Sequence, residues 1–186
     1  MESEIAMNEK DLIQQAKSDP THFRQLYNLH FEEIFRFVIR RVGDIETAKD
    51  ITQQVFLKAL LSLDKYTYRD VPFSSYLYRI AANECNQFFR DTSKVRYVSM
   101  DSDIQSMLIG EISPEDTSTE SELSDLSKAM ESLSVKELLA IELRYFEKKS
   151  FKEIAFILKI SENLAKVRTY RILKKLKTAL EKSHEK

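Results

Sequence analysis

The chain has 186 residues, with 29 Lys and Arg against 30 Asp and Glu, a net charge of -1 and a pI near 6.3. The single Cys85 excludes an internal disulfide framework, and two Gly cannot build a Gly-rich phosphate loop. The sequence has no long apolar run and no signal peptide, so no membrane insertion is expected and a reducing cytoplasm is the expected location. His22, His30 and His184 lack metal-ligand spacing and Cys85 lacks a local His partner, so no metal, no cofactor and no nucleophilic enzyme are expected.

In chain order, Glu9 to Lys17 is predicted as a short helix stopped by Ser18, Asp19 and Pro20. Thr21 is placed to cap a long helix whose positions Phe23, Leu26, Tyr27, His30, Phe31, Ile34, Phe35 and Val38 follow i, i+3, i+4, i+7 spacing and demand a buried partner. Gly43 ends it, and Asp44 caps the next helix, Ile45 to about Leu61, with an inner face of Ala48, Ile51, Val55 and Ala59. A loop from Asp64 to Pro72 leads into a helix from Phe73 to about Asp91. Residues 99 to 125 then break the periodicity with acidic, Ser and Thr residues and read as a flexible connector. Helical spacing resumes at Leu123 and restarts after Ser134, which with Glu137 has the spacing of a capping box, and Leu138, Leu139, Ile141, Leu143 and Tyr145 carry it to Phe146. Ser150 to Leu158 and Ser161 to Glu181 read as two helices joined by a very short turn. The expected fold class is all-α: two small helical domains, 1–95 and 125–186, joined by a flexible acidic linker, 96–124, with a helix-turn-helix in the second domain.

Charge is distributed unevenly over these parts. Residues 1–94 carry 13 basic and 14 acidic side chains, residues 95–135 carry 2 and 9, and residues 136–186 carry 14 and 7. The basic C-terminal part thus suits a polyanion although the whole chain is near neutral. In its first helix Phe151, Ile154, Ala155 and Leu158 share a face, and the small Ala155 lets the second helix cross closely. In the second helix Ala165, Thr169, Ile172, Leu176 and Ala179 form the inward stripe, leaving Asn163, Lys166, Val167, Tyr170, Arg171 and Lys174 outward. Lys166 and Arg171 suit guanine, Val167 a thymine methyl, and Tyr170 a base or sugar; Ser161 and Arg168 suit phosphate. A solvated basic face is the bland alternative, but the two-helix turn points to duplex DNA.

The segment Ala48-Lys-Asp-Ile-Thr-Gln-Gln-Val-Phe56 resembles the "A-E-D-L-x-Q-E-V-F" helix of bacterial sigma factors, and Phe73-Ser-Ser-Tyr-Leu-Tyr-Arg-Ile-Ala-Ala-Asn83 resembles their "F-x-x-W-L-x-R-I-A-x-N" segment. Both precede the helix-turn-helix, and the whole, from about Phe23 to Leu180, is similar to the two-domain extracytoplasmic-function (ECF) sigma factors. That resemblance implies a transcription initiation factor with core RNA polymerase and promoter DNA as partners. Its region 2 would bind the β′ clamp helices and capture the non-template strand of the minus-ten element. Its region 4 would read the minus-thirty-five duplex and touch the β flap; many family members also have an anti-sigma partner.

Carried over by position, the polymerase-binding residues are Asp50, Gln53, Gln54 and Phe56. The first three fall outside the inner stripe, and Phe56 would be an exposed anchor unless it packs on the neighbouring helix. For the minus-ten strand, the loop and helix offer aromatics for stacking and cations for the backbone, giving Lys65, Tyr66, Tyr68, Arg69, Arg79 and Asn83. Tyr66, Tyr68 and Asn83 are preferred over Tyr76, which takes the family's usual Trp position and packs inside. Departures from the family pattern include Lys49, Gln54 and Gln87 at places where acidic residues are usual, and Lys159 where the turn often holds Gly. The acidic linker is either a passive tether or, as the family suggests, an RNA mimic in the polymerase cleft carried by Glu111, Glu115, Asp116, Glu120 and Glu122. Two rival readings are a conventional helix-turn-helix regulator of duplex operators, which would need no polymerase, and a pure protein-interaction adaptor.

Overall fold

The computed structural model describes residues 2–92, 108, 110 and 120–184, and the regular structure of these residues is helical throughout. They fall into two compact units, Met1–Ser99 and Met100–Lys186. Most of the expected connector, residues 96–107, 109 and 111–119, lies outside the described residues. Within it Leu108 is helical and fully buried.

The first unit is built from α1 (Glu2–Ser18), α2 (Phe23–Val42), α3 (Ile45–Leu61) and α4 (Phe73–Thr92), with 3-10 turns at Pro20–His22 and Leu63–Lys65. Helix α1 begins earlier than the periodicity predicts. The expected Thr21 cap is replaced by Asp19, whose carboxylate accepts from the Thr21 amide at 2.9 Å; with Pro20 following, it caps a 3-10 turn that leads into α2 at Phe23. Gly43 takes the left-handed conformation, φ 72°, and Asp44 accepts from the Thr47 amide at 2.8 Å, so α2 stops and α3 starts as expected.

Leu26, Ile34 and Val38 of α2 pack with Ala48, Val55 and Ala59 of α3 and Phe73, Leu77 and Ala81 of α4 in the core of this unit. On α2, Phe37 is buried while Phe35 is half-exposed, which rotates the inner face slightly from the predicted stripe. Arg41 is also buried, its guanidinium 5.3 Å from the Phe37 ring centroid and donating to Asn86 Oδ1 at 3.5 Å. Stacking and hydrogen bonding make that burial tolerable for a permanent charge.

The second unit comprises α5 (Glu120–Glu131), α6 (Val135–Ile141), a π-helical turn (Glu142–Phe146), α7 (Phe151–Leu158) and α8 (Glu162–His184). The predicted helix to Phe146 is thus α-helical only to Ile141 and then widens, with the Glu147 amide reaching back to the Glu142 carbonyl at 3.0 Å. Leu138 to Leu143, Tyr145 and Phe146 are all buried, so this segment is enclosed on every side rather than on one stripe. Two capping boxes fix the starts of its helices, Ser134 with Glu137 and Ser150 with Glu153.

Candidate nucleic-acid interface

In the second unit, α7 and α8 form the expected helix-turn-helix. Lys159 adopts φ 55°, ψ 49°, the Ile160 amide donates to the Ala155 carbonyl at 3.0 Å, and the Lys159 amide to the Phe156 carbonyl at 3.4 Å. This is a Schellman stop built on a residue other than Gly, with a conformational cost of about 1 kcal/mol. Ser161 then accepts from the Leu164 amide at 3.2 Å and starts α8. The small, buried Ala155 and Ala165 lie on these two packed helices.

Inward on α8 lie Ala165, Thr169, Ile172, Leu173, Leu176 and Leu180; the predicted Ala179 is exposed, and Leu173 and Leu180 take its place in the stripe. Outward lie Asn163, Lys166, Val167, Arg168, Tyr170, Arg171 and Lys174, all exposed, together with Ser161 at the turn. Among the described residues Lys166, Arg168, Arg171 and Lys174 make no ion pair, and all four are exposed. Lys175, by contrast, is held by the Ser132 carbonyl at 3.4 Å and by Glu137 at 3.7 Å. Hydrogen bonds from the Ser134 side chain and amide, with Lys175 nearby, hold the Glu137 carboxyl below its ordinary value.

Sequence reasoning missed a surface stack beside this helix. The Arg144 guanidinium lies 4.7 Å from the Phe151 ring centroid, and Phe151 lies 6.2 Å from Tyr170. Arg144 is steadied by the Lys149 carbonyl at 3.1 Å. Arg144 comes from the π-helical turn, so helix periodicity alone gives no signal for it.

In the first unit the chain from Lys65 to Asn83 forms a loop and the start of α4. Lys65, Arg69 and Asn83 are exposed, while Tyr68 and Arg79 are half-buried. Tyr66, expected to be available to bases, is instead as buried as Tyr76, 6% against 8% exposed. Its ring packs edge-on to Phe73 at 5.3 Å and against Tyr76 at 4.7 Å, so the preference for Tyr66 over Tyr76 is overturned by the closing of this aromatic cluster. Tyr76 keeps its hydroxyl on Ser62 Oγ at 2.7 Å, whereas the Tyr66 hydroxyl has no hydrogen-bond partner. Burial pushes the Tyr66 phenol well above its ordinary value and raises that of Tyr68. The Arg79 guanidinium lies 5.3 Å from the Tyr76 ring centroid.

On α3, Asp50, Gln53 and Gln54 are exposed. Phe56 is not: at 3% exposure it sits among Phe23, Tyr27 and Phe31, with centroids 6.5, 4.7 and 6.3 Å away. The expectation of an exposed anchor there is corrected, because α2 supplies an aromatic wall against which Phe56 buries its ring. The exposed apolar residues on this helix are Leu57 and Leu61, at 47% and 75%, and helical spacing places them on the face of Asp50, Gln53 and Gln54. They fall off the Ala48, Ile51, Val55, Ala59 stripe, a signal the sequence did contain. Among the described residues no His, Cys, Asp or Glu group is arranged to hold a metal ion, and no helix is long and apolar enough to cross a membrane.

Residues 26–95 match the model for Sigma-70 region 2, and residues 123–176 match that for Sigma-70, region 4. The chain is similar to the ECF RNA polymerase sigma factor BldN of Streptomyces coelicolor, at 29% identity over 169 residues, 89% of this chain and 63% of that protein. This chain therefore spans less than two thirds of the length of BldN. It is also similar to the ECF RNA polymerase sigma factor SigW of Bacillus subtilis, at 27% identity over 173 residues, 89% of this chain and 92% of that one. In fold it resembles CnrH, solved with the cytosolic domain of CnrY, with a TM-score of 0.60 at 21% identity over 93% of this chain and 97% of that one. It likewise resembles the sigma factor RpoE of Bartonella quintana, solved with the anti-sigma factor NepR, with a TM-score of 0.58 at 21% identity over 86% and 96%.

Proposed function

The chain belongs to the ECF sigma factors of bacterial RNA polymerase, and from that premise we propose that it binds core polymerase, directs it to specific promoters and helps melt the minus-ten region. The observation that carries this reading is the succession, in one chain, of a region 2 match and a region 4 match whose recognition helix presents exposed cations. The part assigned to 125–186 reads the minus-thirty-five duplex through Ser161, Asn163, Lys166, Val167, Arg168, Tyr170, Arg171 and Lys174. The part assigned to 1–95 uses Asp50, Gln53 and Gln54, extended by Leu57 and Leu61, toward the β′ clamp helices. Phe56 stiffens that helix from behind. Lys65, Tyr68, Arg69, Arg79 and Asn83 face the unpaired strand, with the Tyr66 ring as the floor beneath them. Melting without ATP must draw on binding free energy, and stacking of captured bases on such a site shifts that equilibrium. An anti-sigma partner and a cytoplasmic location belong to the same proposal. A duplex-operator regulator is not favoured, because it leaves the region 2 match without a purpose.

Run-off transcription with purified core polymerase over a library of promoter fragments tests this. The expected result is initiation that depends on the protein and disappears in the Lys166→Ala, Arg171→Ala double variant. No gain of specificity by core polymerase, with duplex DNA bound by the protein alone, would hand the case to the regulator reading.

A further inference from the structure

Two hydrogen bonds from one helix fasten both ends of the loop 66–72. At its start, Lys17 Nζ of α1 donates to the Tyr66 carbonyl at 2.6 Å; at its end, Glu9 Oε2 of α1 accepts from the Phe73 amide at 2.9 Å. The two tethers stand about 12 Å apart along α1, at a rise of about 1.5 Å per residue. Helix α1 is itself firmly seated, with Ile13 and Ala16 each 2% exposed. Glu9 is buried, and its other oxygen meets His30 Nε2 at 3.1 Å while His30 Nδ1 meets Glu33 at 2.6 Å. A buried carboxylate with both oxygens engaged is a rigid constraint, not a surface pair that flickers.

Between the tethers the loop is held in a demanding shape. Asp70 has φ 54°, a left-handed conformation that a residue other than Gly keeps when its surroundings impose it, and Val71 is buried beside it. Lys65 precedes this span, and Tyr68 and Arg69 lie within it. Helix α1 itself lies outside residues 26–95, the segment matched to region 2.

We propose that α1 is a positioning element for strand capture: Lys17 and Glu9, without touching DNA, hold the loop 66–72 in the shape that presents Lys65, Tyr68 and Arg69 to the unpaired minus-ten strand. This inference rests on the sigma-factor reading above. Its physical basis is entropic, since a loop ordered before the strand arrives does not charge its ordering to the melting step.

The test uses the full chain bound to core polymerase and a promoter recovered in the run-off selection. Binding of its single-stranded minus-ten oligonucleotide is measured by fluorescence anisotropy, alongside affinity for core polymerase and the Tm of the free protein. Lys17→Met keeps the aliphatic stem and removes the donor; Lys17→Arg restores a donor. Loss of a charge-assisted bond is expected to weaken oligonucleotide binding by about ten-fold in Lys17→Met, with recovery in Lys17→Arg and with core affinity and Tm unchanged. Glu9→Gln, which keeps an acceptor for the Phe73 amide, should lie between wild type and Lys17→Met. Unaltered oligonucleotide binding in Lys17→Met, or a loss matched by falling core affinity or Tm, overturns the inference. A wild-type holoenzyme that captures no strand overturns the functional reading and the inference with it, a separable outcome because it involves no variant.

Discussion

His30 lies where three helices meet, and its environment makes unit stability depend on pH. Burial alone would lower the imidazole pKa, but hydrogen bonds to Glu33 and Glu9 and their negative charge outweigh it, so the value is raised above the ordinary 6.5. The groups facing it are Glu9 from α1, Glu33 from α2 with the Tyr78 hydroxyl 3.5 Å from the Glu33 carboxylate, and the Phe73 ring from α4 at 6.0 Å. A raised folded pKa stabilises the fold fully below the unfolded value and ceases to do so as pH rises through the folded value. The Tm advantage of wild type over His30→Gln should therefore be greatest near about pH 5.5 and shrink toward about pH 8.5; a pH-independent difference would contradict it. Helical spacing puts His30 in the buried-facing stripe of α2, and it is buried there, but neither carboxylate is legible in the sequence as its partner. Glu33 is one helical turn away, a local spacing, whereas Glu9 is 21 positions distant and is brought there only by the folding of α1 onto α2.

Among the elements, the turn between α7 and α8 shows how local chemistry is read directly. Gly43, Asp44 and the Ser134–Glu137 box all behave as expected because each acts within a few residues of itself. Lys159 was expected in the left-handed position of the turn and is found there. Lys159→Gly should raise the stability of the second unit by about 1 kcal/mol, read as a higher urea midpoint at unchanged m, since Gly carries no Cβ penalty in that conformation. An unchanged or lower midpoint would mean that the added freedom of Gly in the unfolded chain cancels the relief. In helix α3 local pattern does not suffice. Its inner stripe was legible, but Phe56 sits beside that stripe, and only the aromatic wall of α2 decides whether its ring turns in or out. The π-helical turn at Glu142–Phe146 likewise leaves no mark in the sequence, because its residues still read as a continuation of a helical pattern.

Across the whole molecule, charge is partitioned by position, and residues 136–186 carry 14 basic against 7 acidic side chains. Arg168, which the sequence suits to phosphate, and the outward Lys174 are both exposed and without ion pairs among the described residues, and we propose that both serve phosphates. Replacing both with Ala should weaken holoenzyme binding to minus-thirty-five duplexes of every sequence alike and reduce the slope of log affinity against log salt by about 2. A selective loss for one sequence at unchanged slope would move these residues to base reading. What the sequence by itself determined is the set of helices, most of their caps, the basic face of α8 and the family, because periodicity, capping and motif spacing are local and survive without knowledge of neighbours. The tertiary structure alone decided that Phe56 and Tyr66 are buried, that Arg41 is enclosed, and that Glu9 and Lys17 reach across to the loop before α4. These outcomes depend on which surfaces distant segments bring together, and a side chain's solvation and partners are properties of that assembly and not of its neighbours along the chain.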